Sequence, residues 1–372
     1  MSPRRQLFIA LLVLLALAAC ATPQANTPTV NDASVQEERR KQMEMVVEDY
    51  MQSWRRLQAV AARVVVNGRE LCGTNVAPYY GMTTWSQESF AKEWRAIVAA
   101  RFGIGEVPSI ASIAPGSVAD KAGLREGDVI RSINEWTPPT GKDALAKLDE
   151  KLASEGKYGR VDFVVQRGAE EIALEVMPET ACDFGVGLSL NDAKNAYADG
   201  RRIVIYKGMM DFFRSDEELA LVVSHELAHN AMHHIDAQKT NSNIGGLVGL
   251  LLDVAAAFGG VNTNGNFSRA GGSIGAGAHS VEFEKEADYV GLYFMARAGY
   301  DITGAPNFWR RMATANTQAI TMKSTHPTTP ERFVGLEAAV TEVKQKIERG
   351  DSLKPELKNS TQPQTAETPA SP

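Results

Sequence analysis

The sequence predicts an α+β protein in which a mainly helical domain with a small sheet is joined to an inserted β-rich module. Residues 217–232 form an apolar run with helical periodicity, and this run holds two histidines four residues apart. Residues 94–180 contain short strand-like runs separated by glycine turns, which is typical of a small β-rich module. Cys72 and Cys182 bracket that module, so a bond between them would close it at its neck.

The composition and charge are those of an ordinary globular protein. The chain has 372 residues, which is enough for about two or three domains and a sizeable core. Apolar residues make up 44% of the sequence and charged residues 23%, close to the averages for globular domains. The net charge of −6 provides no basic surface, and we therefore expect no nucleic acid partner.

Residues 1–19 have the organisation of an export signal. Arg4 and Arg5 supply the positive start, and Leu7–Ala19 is an unbroken apolar run. That run is too short to cross a bilayer as a helix and has the length of a signal-peptide core.

The cysteine that follows the signal predicts a lipid anchor. The sequence Leu17-Ala18-Ala19-Cys20 resembles a bacterial lipobox, in which the cysteine is diacylated and becomes the first residue of the mature protein. This resemblance implies a periplasm-facing protein of the bacterial cell envelope that is held at a membrane by its acyl chains. Ala21 in the second position resembles the choice that sorts such proteins to the outer membrane. An ordinary signal followed by an unmodified Cys20 is the alternative.

Composition and periodicity predict the segments that flank the domains. Residues 20–36 are rich in Thr, Pro, Asn, Gln and Ala and predict a flexible tether. Residues 37–93 begin with apolar residues at helical spacing, such as Val47 and Trp54, and predict a helical segment that packs with the main domain. Residues 346–372 predict a disordered tail.

The remaining cysteines are expected to form one disulfide. With Cys20 lipidated, Cys72 and Cys182 are left, and exported proteins form disulfides readily. Two buried free thiols are the alternative.

The inserted module contains an eighteen-residue motif, Ser117–Asn134. A short helix, Val118–Ala122, is predicted to end at Gly123, and a Gly127-Asp128 turn then leads into a strand. This motif resembles a bacterial PDZ domain, which implies a groove that binds an extended peptide or a free C-terminus.

The resemblance also implies which residues form the peptide site. Phe102, Gly103, Ile104 and Gly105 are expected to form the loop whose backbone N–H groups receive a peptide carboxylate. Ser109–Ile113 is expected to be the sheet edge to which the peptide adds. The alternative is a β-rich domain without a peptide ligand.

The helical run of residues 217–232 contains the sequence His225-Glu226-Leu227-Ala228-His229. Positions four apart lie on one helix face, so His225 and His229 can direct both imidazoles at one point. Glu226 lies beside that point and can take a proton from a water molecule. This H-E-x-x-H arrangement predicts two zinc ligands and a general base. Two inert histidines on a half-buried helix are the alternative.

A second helix, beginning near Val281, is predicted to supply two further carboxylates. Glu284 and Asp288 are four residues apart and share a face. One carboxylate can complete the ligand set, and the other can hold a ligand imidazole in its productive tautomer. A solvated acidic helix face is the alternative.

The region between these helices predicts an apolar segment and a loop. Ile244–Gly260 is apolar except for Asp253, and its length and central charge argue against a membrane span. We expect this segment to cover the active site or to lie at an interface. Residues 259–278 are rich in Gly, Ser, Ala and Asn and predict a mobile loop.

Together these pieces resemble the M48 family of zinc endopeptidases. In family order, the matching pieces are Asn195-Ala196-Tyr197, the helix of His225 and His229, the helix of Glu284 and Asp288, and the segment that contains His326-Pro327 and Arg332. The resemblance implies a zincin-like metallopeptidase domain over residues 183–345.

The resemblance further implies the roles of single residues. His225, His229 and Glu284 are expected to bind one Zn²⁺ per chain, with Glu226 as the general base and Asp288 as the partner of a ligand. His326 matches a histidine that in some members lies near zinc and either stabilises the transition state or occupies the water position. Tyr289 is a second candidate for stabilising the oxyanion.

We therefore expect a zinc endopeptidase that hydrolyses peptide bonds of extended or misfolded envelope proteins. The PDZ-like module is expected to bind a peptide or C-terminus for recognition or regulation. The alternative is a lipid-anchored binding or chaperone-like protein whose zinc site is plugged and structural, with His326 as a fourth ligand. Glu226 favours the enzyme, because a structural zinc site has no need of a general base.

Overall fold

The computed structural model describes Arg5, Ala25 and residues 27–258, 263–277, 280–315 and 330–358. Cys20 and His326 lie outside the described residues, as does the predicted signal apart from Arg5. The chain divides into two units, Met1–Met45 and Val46–Pro372. Apart from the first turns of helix α1, the named helices and strands belong to the second unit.

The described chain is mainly helical and carries several small sheets, which confirms the predicted α+β class. The helices are α1 (Asp32–Asn67), α2 (Lys92–Phe102), α3 (Val118–Ala122), α4 (Ala144–Gly156), α5 (Lys207–Met210), α6 (Asp216–Ala231), α7 (His234–Phe258), α8 (Asn266–Gly277), α9 (Ser280–Arg297), α10 (Ala305–Ala315) and α11 (Pro330–Arg349). The strands are β1 (Val76–Tyr79), β2 (Met82–Trp85), β3 (Ser109–Ile113), β4 (Val129–Ile133), β5 (Val161–Arg167), β6 (Glu170–Val176), β7 (Glu179–Cys182), β8 (Gly185–Ser189), β9 (Ala196–Ala198) and β10 (Arg202–Tyr206). Within the described ranges, none of the helices has both the length and the apolarity that crossing a membrane requires.

The inserted module is an antiparallel sheet of five strands in the order β2-β3-β4-β5-β6. Its core contains Ile130 and Phe163 from the sheet and Leu148 from helix α4, all fully buried. As predicted, helix α3 ends at Gly123, which adopts a left-handed conformation with φ of 88°.

The module begins earlier than the predicted residue 94. Strand β2 pairs with β3 from Met82 opposite Ile113 to Trp85 opposite Ser109, so residues 82–85 belong to the sheet. A strand of only four residues has too little periodicity to be recognised in the sequence.

A short ladder and a disulfide close the neck of the module. Strand β1 pairs with β7 in antiparallel fashion, with Val76 opposite Cys182. Cys72 and Cys182 are bonded, with their Cα atoms 5.7 Å apart and a sequence separation of 110. The bond therefore fixes both ends of the insertion to one place in the helical domain.

The helical domain is built on a second sheet in the order β8-β10-β9. Strand β10 pairs in parallel with β8 and antiparallel with β9, which leaves β9 at an edge. Ile203 and Ile205 of β10 are fully buried, because residues two apart on a strand point to the same face. They join a core that also receives Leu57 and Val64 from α1.

Helices α6 and α9 approach each other closely at Gly291. A β-carbon added to Gly291 would lie 3.2 Å from both Cα and N of His225. A larger residue would therefore push α9 away from the helix that carries the two histidines.

Helices extend into two segments for which the sequence predicts a flexible tether and a disordered tail. Helix α1 begins at Asp32, inside the predicted tether 20–36. Helix α11 continues to Arg349, and residues 351–358 remain described beyond it. Lys346 explains part of this order, because its ammonium group donates to the carbonyl of Lys354 and to the carboxylate of Glu356.

The predicted mobile loop of residues 259–278 is also wrong over most of its length, because Asn266–Gly277 forms helix α8. Asp253 caps this helix by accepting hydrogen bonds from the backbone N–H groups of Phe267 and Ser268, at 3.1 and 2.8 Å. The glycines that suggested a loop allow α8 to lie against α7: a β-carbon on Gly271 would collide with the carbonyl of Gly245.

Replacing both Cys72 and Cys182 with Ser is expected to lower the free energy of unfolding by about 2–4 kcal/mol, because the open chain regains the entropy of a long loop. Urea unfolding followed by circular dichroism measures the change. The parent chain under reducing conditions is the control and is expected to lose the same amount. An unchanged unfolding midpoint would contradict the structural role of the bond.

Candidate metal centre

Helix α6 carries three of the predicted site residues into the core. Ser215 caps the helix by accepting a hydrogen bond from the N–H of Glu218, at 3.4 Å. His225, Glu226 and His229 are at most 4% exposed. The part of α6 that presents them, Leu219–Asn230, is thus buried in the domain.

Helix α9 brings Glu284 to the two histidines. The Nε2 atoms of His225 and His229 lie 3.2 Å apart, and the carboxylate oxygens of Glu284 lie 3.4 and 3.3 Å from them. Ligand atoms around tetrahedral zinc, with bonds of about 2.0–2.1 Å, are about 3.3 Å from one another. The three side chains therefore have both the donor types and the spacing of a zinc site.

Asp288 and Arg332 position His225 and Glu284 through hydrogen bonds and ion pairs. Asp288 Oδ1 lies 3.1 Å from Nδ1 of His225, which leaves Nε2 of the same ring directed at the metal position. Arg332 donates to both oxygens of Asp288, at 2.8 and 2.9 Å, and its Nη1 lies 3.0 Å from Glu284. One guanidinium thus fixes a ligand and the partner of another ligand.

His234 orients the other histidine, and sequence reasoning missed it. Nδ1 of His234 lies 3.0 Å from Nδ1 of His229, and Nε2 of His234 lies 3.0 Å from Glu286. His234 is 1% exposed although it follows the end of α6. The sequence signal is the pair His233-His234, four and five residues after His229, and it does not indicate which of the two is buried.

The surrounding charges act on the two imidazoles in opposite ways. Burial lowers the pKa of His225, but hydrogen bonds to Asp288 and Glu284 and the negative charges of these two carboxylates together raise the pKa to about 10. The pKa of His229 is lowered by its burial. Because zinc binds neutral imidazole, binding would displace the proton from His225.

Comparison with known proteins agrees with this geometry. Residues 158–340 match the model of peptidase family M48, and residues 109–151 match a PDZ domain model. The chain contains an M48 peptidase domain. Zinc is the metal of this family, and the three ligands fit it. The M48 match begins inside the module's sheet, whereas the structure changes from one domain to the other near Cys182.

Curated relatives are similar to part of this chain. A Vibrio cholerae protein assigned as a beta-barrel assembly-enhancing protease is 33% identical over 37% of this chain and 31% of its own length. The mitochondrial metalloendopeptidase OMA1 of Schizosaccharomyces pombe is 30% identical over 41% of this chain and 45% of its own length. The chain therefore spans less than half the length of either relative.

Solved structures that contain PDZ domains are also similar to part of this chain. A crystal structure of the HtrA3 PDZ domain bound to a phage-derived ligand covers 28% of this chain and 88% of that chain, with 17% identity and a TM-score of 0.23. That TM-score is too low to carry an argument, and the PDZ assignment rests on the family model.

The M48 domain joins its metal helix to an edge strand. Asn230 follows His229, accepts a hydrogen bond from the N–H of Gly200 at 2.8 Å, and donates to the carbonyl of Arg202 at 3.2 Å. These two bonds hold the turn between β9 and β10 against helix α6. Trp309 forms an apolar wall of the site, with its ring 5.0 Å from that of His225.

Tyr289 does not face the metal position in the M48 domain. Its hydroxyl donates to Glu342 at 2.8 Å and accepts from the N–H of Glu356 at 2.9 Å. Its predicted role in stabilising the oxyanion is therefore wrong, because a helix directs Asp288 and the next residue to different sides. His326 lies outside the described residues, and its predicted role stays a prediction.

The predicted peptide loop of the PDZ domain is wrong. Phe102 ends helix α2, and Gly103 caps that helix with φ of 68°. Ile104 is 2% exposed and packs in an apolar cluster, while the carbonyl of Gly105 accepts from Gln87 at 2.7 Å. Gly103 therefore ends a helix, and Gly105 pairs with the backbone of Gln87.

The predicted peptide-binding edge is wrong as well. Ser109–Ile113 lies between β2 and β4, so strand β2 is the edge on this side of the sheet. Gly81 precedes β2 with φ of 74°, and a β-carbon there would lie 2.2 Å from Cβ of Ser117. The turn before β2 therefore requires glycine for two separate reasons.

Replacing Arg332 with Ala is expected to lower zinc affinity about 10–100-fold, because Asp288 and Glu284 would lose the group that positions both. Competition with a zinc-binding dye measures the affinity, and circular dichroism checks the fold. The control is Arg310→Ala, because Arg310 pairs with Glu337 at the surface. Equal zinc affinity in the two variants would refute the positioning role.

Proposed function

We propose that the chain is a zinc-dependent endopeptidase of the bacterial cell envelope that hydrolyses extended or misfolded proteins. The observation that carries this proposal is the buried cluster of His225, His229 and Glu284, with Glu226 on the same helix as the histidines. The match to family M48 supports the same reaction class.

The metal site has the composition of a catalytic centre. Among the described residues, the cluster has three protein ligands, and catalytic zinc sites use three and keep a fourth position for water or substrate. When bound, zinc would acidify a water molecule and polarise the scissile carbonyl.

Glu226 supplies the proton transfers. Its carboxylate accepts a proton from the attacking water as the new carbon–oxygen bond forms, and donates it to the amine nitrogen as the carbon–nitrogen bond breaks. Asp288 keeps the Nδ1 proton of His225 in place, so that the ring presents Nε2 throughout. Trp309 limits access of bulk water on one side of His225.

Strand β9 is the place where an extended substrate would bind. It lies at the edge of its sheet, and Asn230 ties the turn that follows it to helix α6. A substrate backbone that adds to β9 would run beside the helix that carries Glu226. Strand addition requires an unfolded segment, which favours misfolded proteins over compact ones.

The envelope location is supported by the disulfide and by the predicted export signal. A bond between Cys72 and Cys182 persists in oxidising compartments such as the periplasm. The predicted lipidation at Cys20 and the outer membrane as destination remain predictions.

The alternative is a plugged, structural zinc site, which needs a fourth protein ligand. The described residues supply three ligands, and His326, the predicted fourth, lies outside them. Helix α7, which was expected to cover the site or lie at an interface, pairs with α8.

Replacing Glu226 with Gln is expected to reduce cleavage of unfolded casein at least about a hundredfold while zinc stays bound, because only the proton acceptor is lost. Fluorescent casein measures cleavage, and atomic absorption measures zinc. Glu217→Gln is the matched control, because Glu217 lies exposed on the same helix. Cleavage at the parent rate by the zinc-loaded Glu226 variant would rule out this mechanism.

We further propose that the PDZ domain binds peptide C-termini at β2, next to the Gly81 turn. Strand β2 is an edge, and Tyr80 ties the turn to helix α4 by donating its hydroxyl proton to the carbonyl of Leu152 at 2.9 Å. An edge strand beside a helix provides the backbone groups and the wall that strand addition uses.

Adding a pool of apolar decapeptides with free C-termini is expected to slow hydrogen exchange in Met82–Trp85, because the peptide would pair with that edge. Mass spectrometry of peptic fragments measures the exchange. The same pool with amidated C-termini is the control and is expected to protect less. Protection confined to Phe102–Gly105 would restore the interpretation based on sequence.

A further inference from the structure

Helices α7 and α8 form an antiparallel pair, called the hairpin below. Ser242 Oγ, in the first half of α7, donates to the carbonyl of Gly272, in the second half of α8, at 3.1 Å. At the other end, a β-carbon on Gly249 would collide with the carbonyl of Phe267. The two helices therefore touch backbone to backbone along their length.

The inner face of the hairpin consists of small residues. Gly245, Gly246, Gly249 and Asp253 lie within about 100° of one another around α7, at 100° per residue. Gly246 is close to Gly272, whose Cα would lie 3.9 Å from an added β-carbon. Glycine thus sets the contact between the helices, and large side chains are kept out of it.

The outer face of α7 is apolar and exposed to an unusual degree. Its large side chains occupy an arc of about 200° on the side away from the glycines. Leu247 is 60% exposed and Leu251 is 62% exposed. The other exposed apolar residues of the hairpin are Ile244, Val248, Leu250, Leu252, Val254, Phe267 and Ile274.

Charge is almost absent from this surface. Between Thr240 and Val281 the sequence contains two charged residues, Asp253 and Arg269. Asp253 is 8% exposed and caps α8. Arg269 donates to the carbonyl of Asn264 and to the side chain of Asn266, so its hydrogen bonds are local.

The hairpin buries small residues and exposes large apolar ones, which is the reverse of the arrangement in helix pairs of water-soluble proteins. In water, paired helices bury large apolar side chains and expose polar ones. In lipid, helices associate through small residues and direct large apolar side chains outward, because acyl chains solvate them. We propose that the outer face of the hairpin inserts into a phospholipid membrane.

The length of the apolar part of helix α7 fits insertion into one leaflet of a membrane and is too short to cross the bilayer. From Ile244 to Phe258, helix α7 rises about 21 Å, whereas the hydrocarbon core is about 30 Å thick. The polar residues Thr263, Asn264 and Asn266 lie at the turn before α8 and favour the headgroup region. The hairpin therefore lies within the interface, with its apolar face among the acyl chains.

A lipid partner fits this surface better than a second copy of the chain does. A protein partner covers one face of a helix, whereas the exposed arc of α7 exceeds a half-turn and α8 adds Phe267 and Ile274. Acyl chains adapt to such a convex surface. The inference depends on neither the proposed peptidase activity nor the predicted lipidation of Cys20.

Fluorescence quenching on the full chain tests this proposal. A nitrobenzoxadiazole probe is attached to Leu251→Cys and, as the matched control, to Met177→Cys, since Met177 is 61% exposed on the PDZ side. The disulfide leaves Cys72 and Cys182 unreactive, and the parent chain treated in the same way corrects for labelling elsewhere. Each protein is mixed with phosphatidylcholine vesicles, with either brominated phosphatidylcholine or aqueous iodide as the quencher.

The probe at position 251 is expected to be quenched by brominated lipid and protected from iodide, and the probe at 177 to show the opposite. When Leu247→Gln and Leu250→Gln are added, we expect aqueous iodide to quench the probe at position 251 again. Iodide access at 251 equal to that at 177 would overturn the proposal. Protection from iodide without quenching by brominated lipid would also overturn it, because protein would then cover the face. Unchanged quenching by brominated lipid after the two Gln substitutions would also overturn the proposal.

Discussion

One buried guanidinium determines how the metal centre is assembled. Arg332 lies on helix α11 and bridges Asp288 and Glu284 of α9, which in turn contact His225 of α6. Three helices thus meet through a single side chain that is 3% exposed. Removing it would leave buried carboxylates without a counter-charge, which costs several kcal/mol for each ion.

The charge balance of the centre also explains its need for a metal. Glu226, Glu284 and Asp288 are buried carboxylates, and Arg332 supplies one positive charge among them. These four groups together carry a charge of −2, which the +2 charge of a zinc ion would neutralise. Without the metal, the raised pKa of His225 allows a proton to offset part of this charge. Folding and metal binding are therefore linked through the same residues.

The sequence predicted the parts of this site that local geometry determines. Residues four apart on a helix share a face, so the placing of His225 with His229 and of Glu284 with Asp288 follows from spacing alone. His234 and the bridging role of Arg332 depend on which helices meet, and spacing carries no such information. The PDZ loop was misplaced because a glycine that ends a helix, such as Gly103, resembles in sequence a glycine that shapes a turn, such as Gly81. The glycine-rich sequence of α8 predicts a loop because glycine lowers helix propensity, whereas in the structure glycine allows α7 and α8 to touch.

X-ray absorption at the zinc edge, on the full chain loaded with one equivalent of zinc, tests whether the zinc centre has three protein ligands and one position left for water. Two imidazole ligands, from His225 and His229, are expected, with oxygen donors in the remaining positions. A spectrum that requires three imidazoles would show a fourth protein ligand and contradict the open, catalytic site.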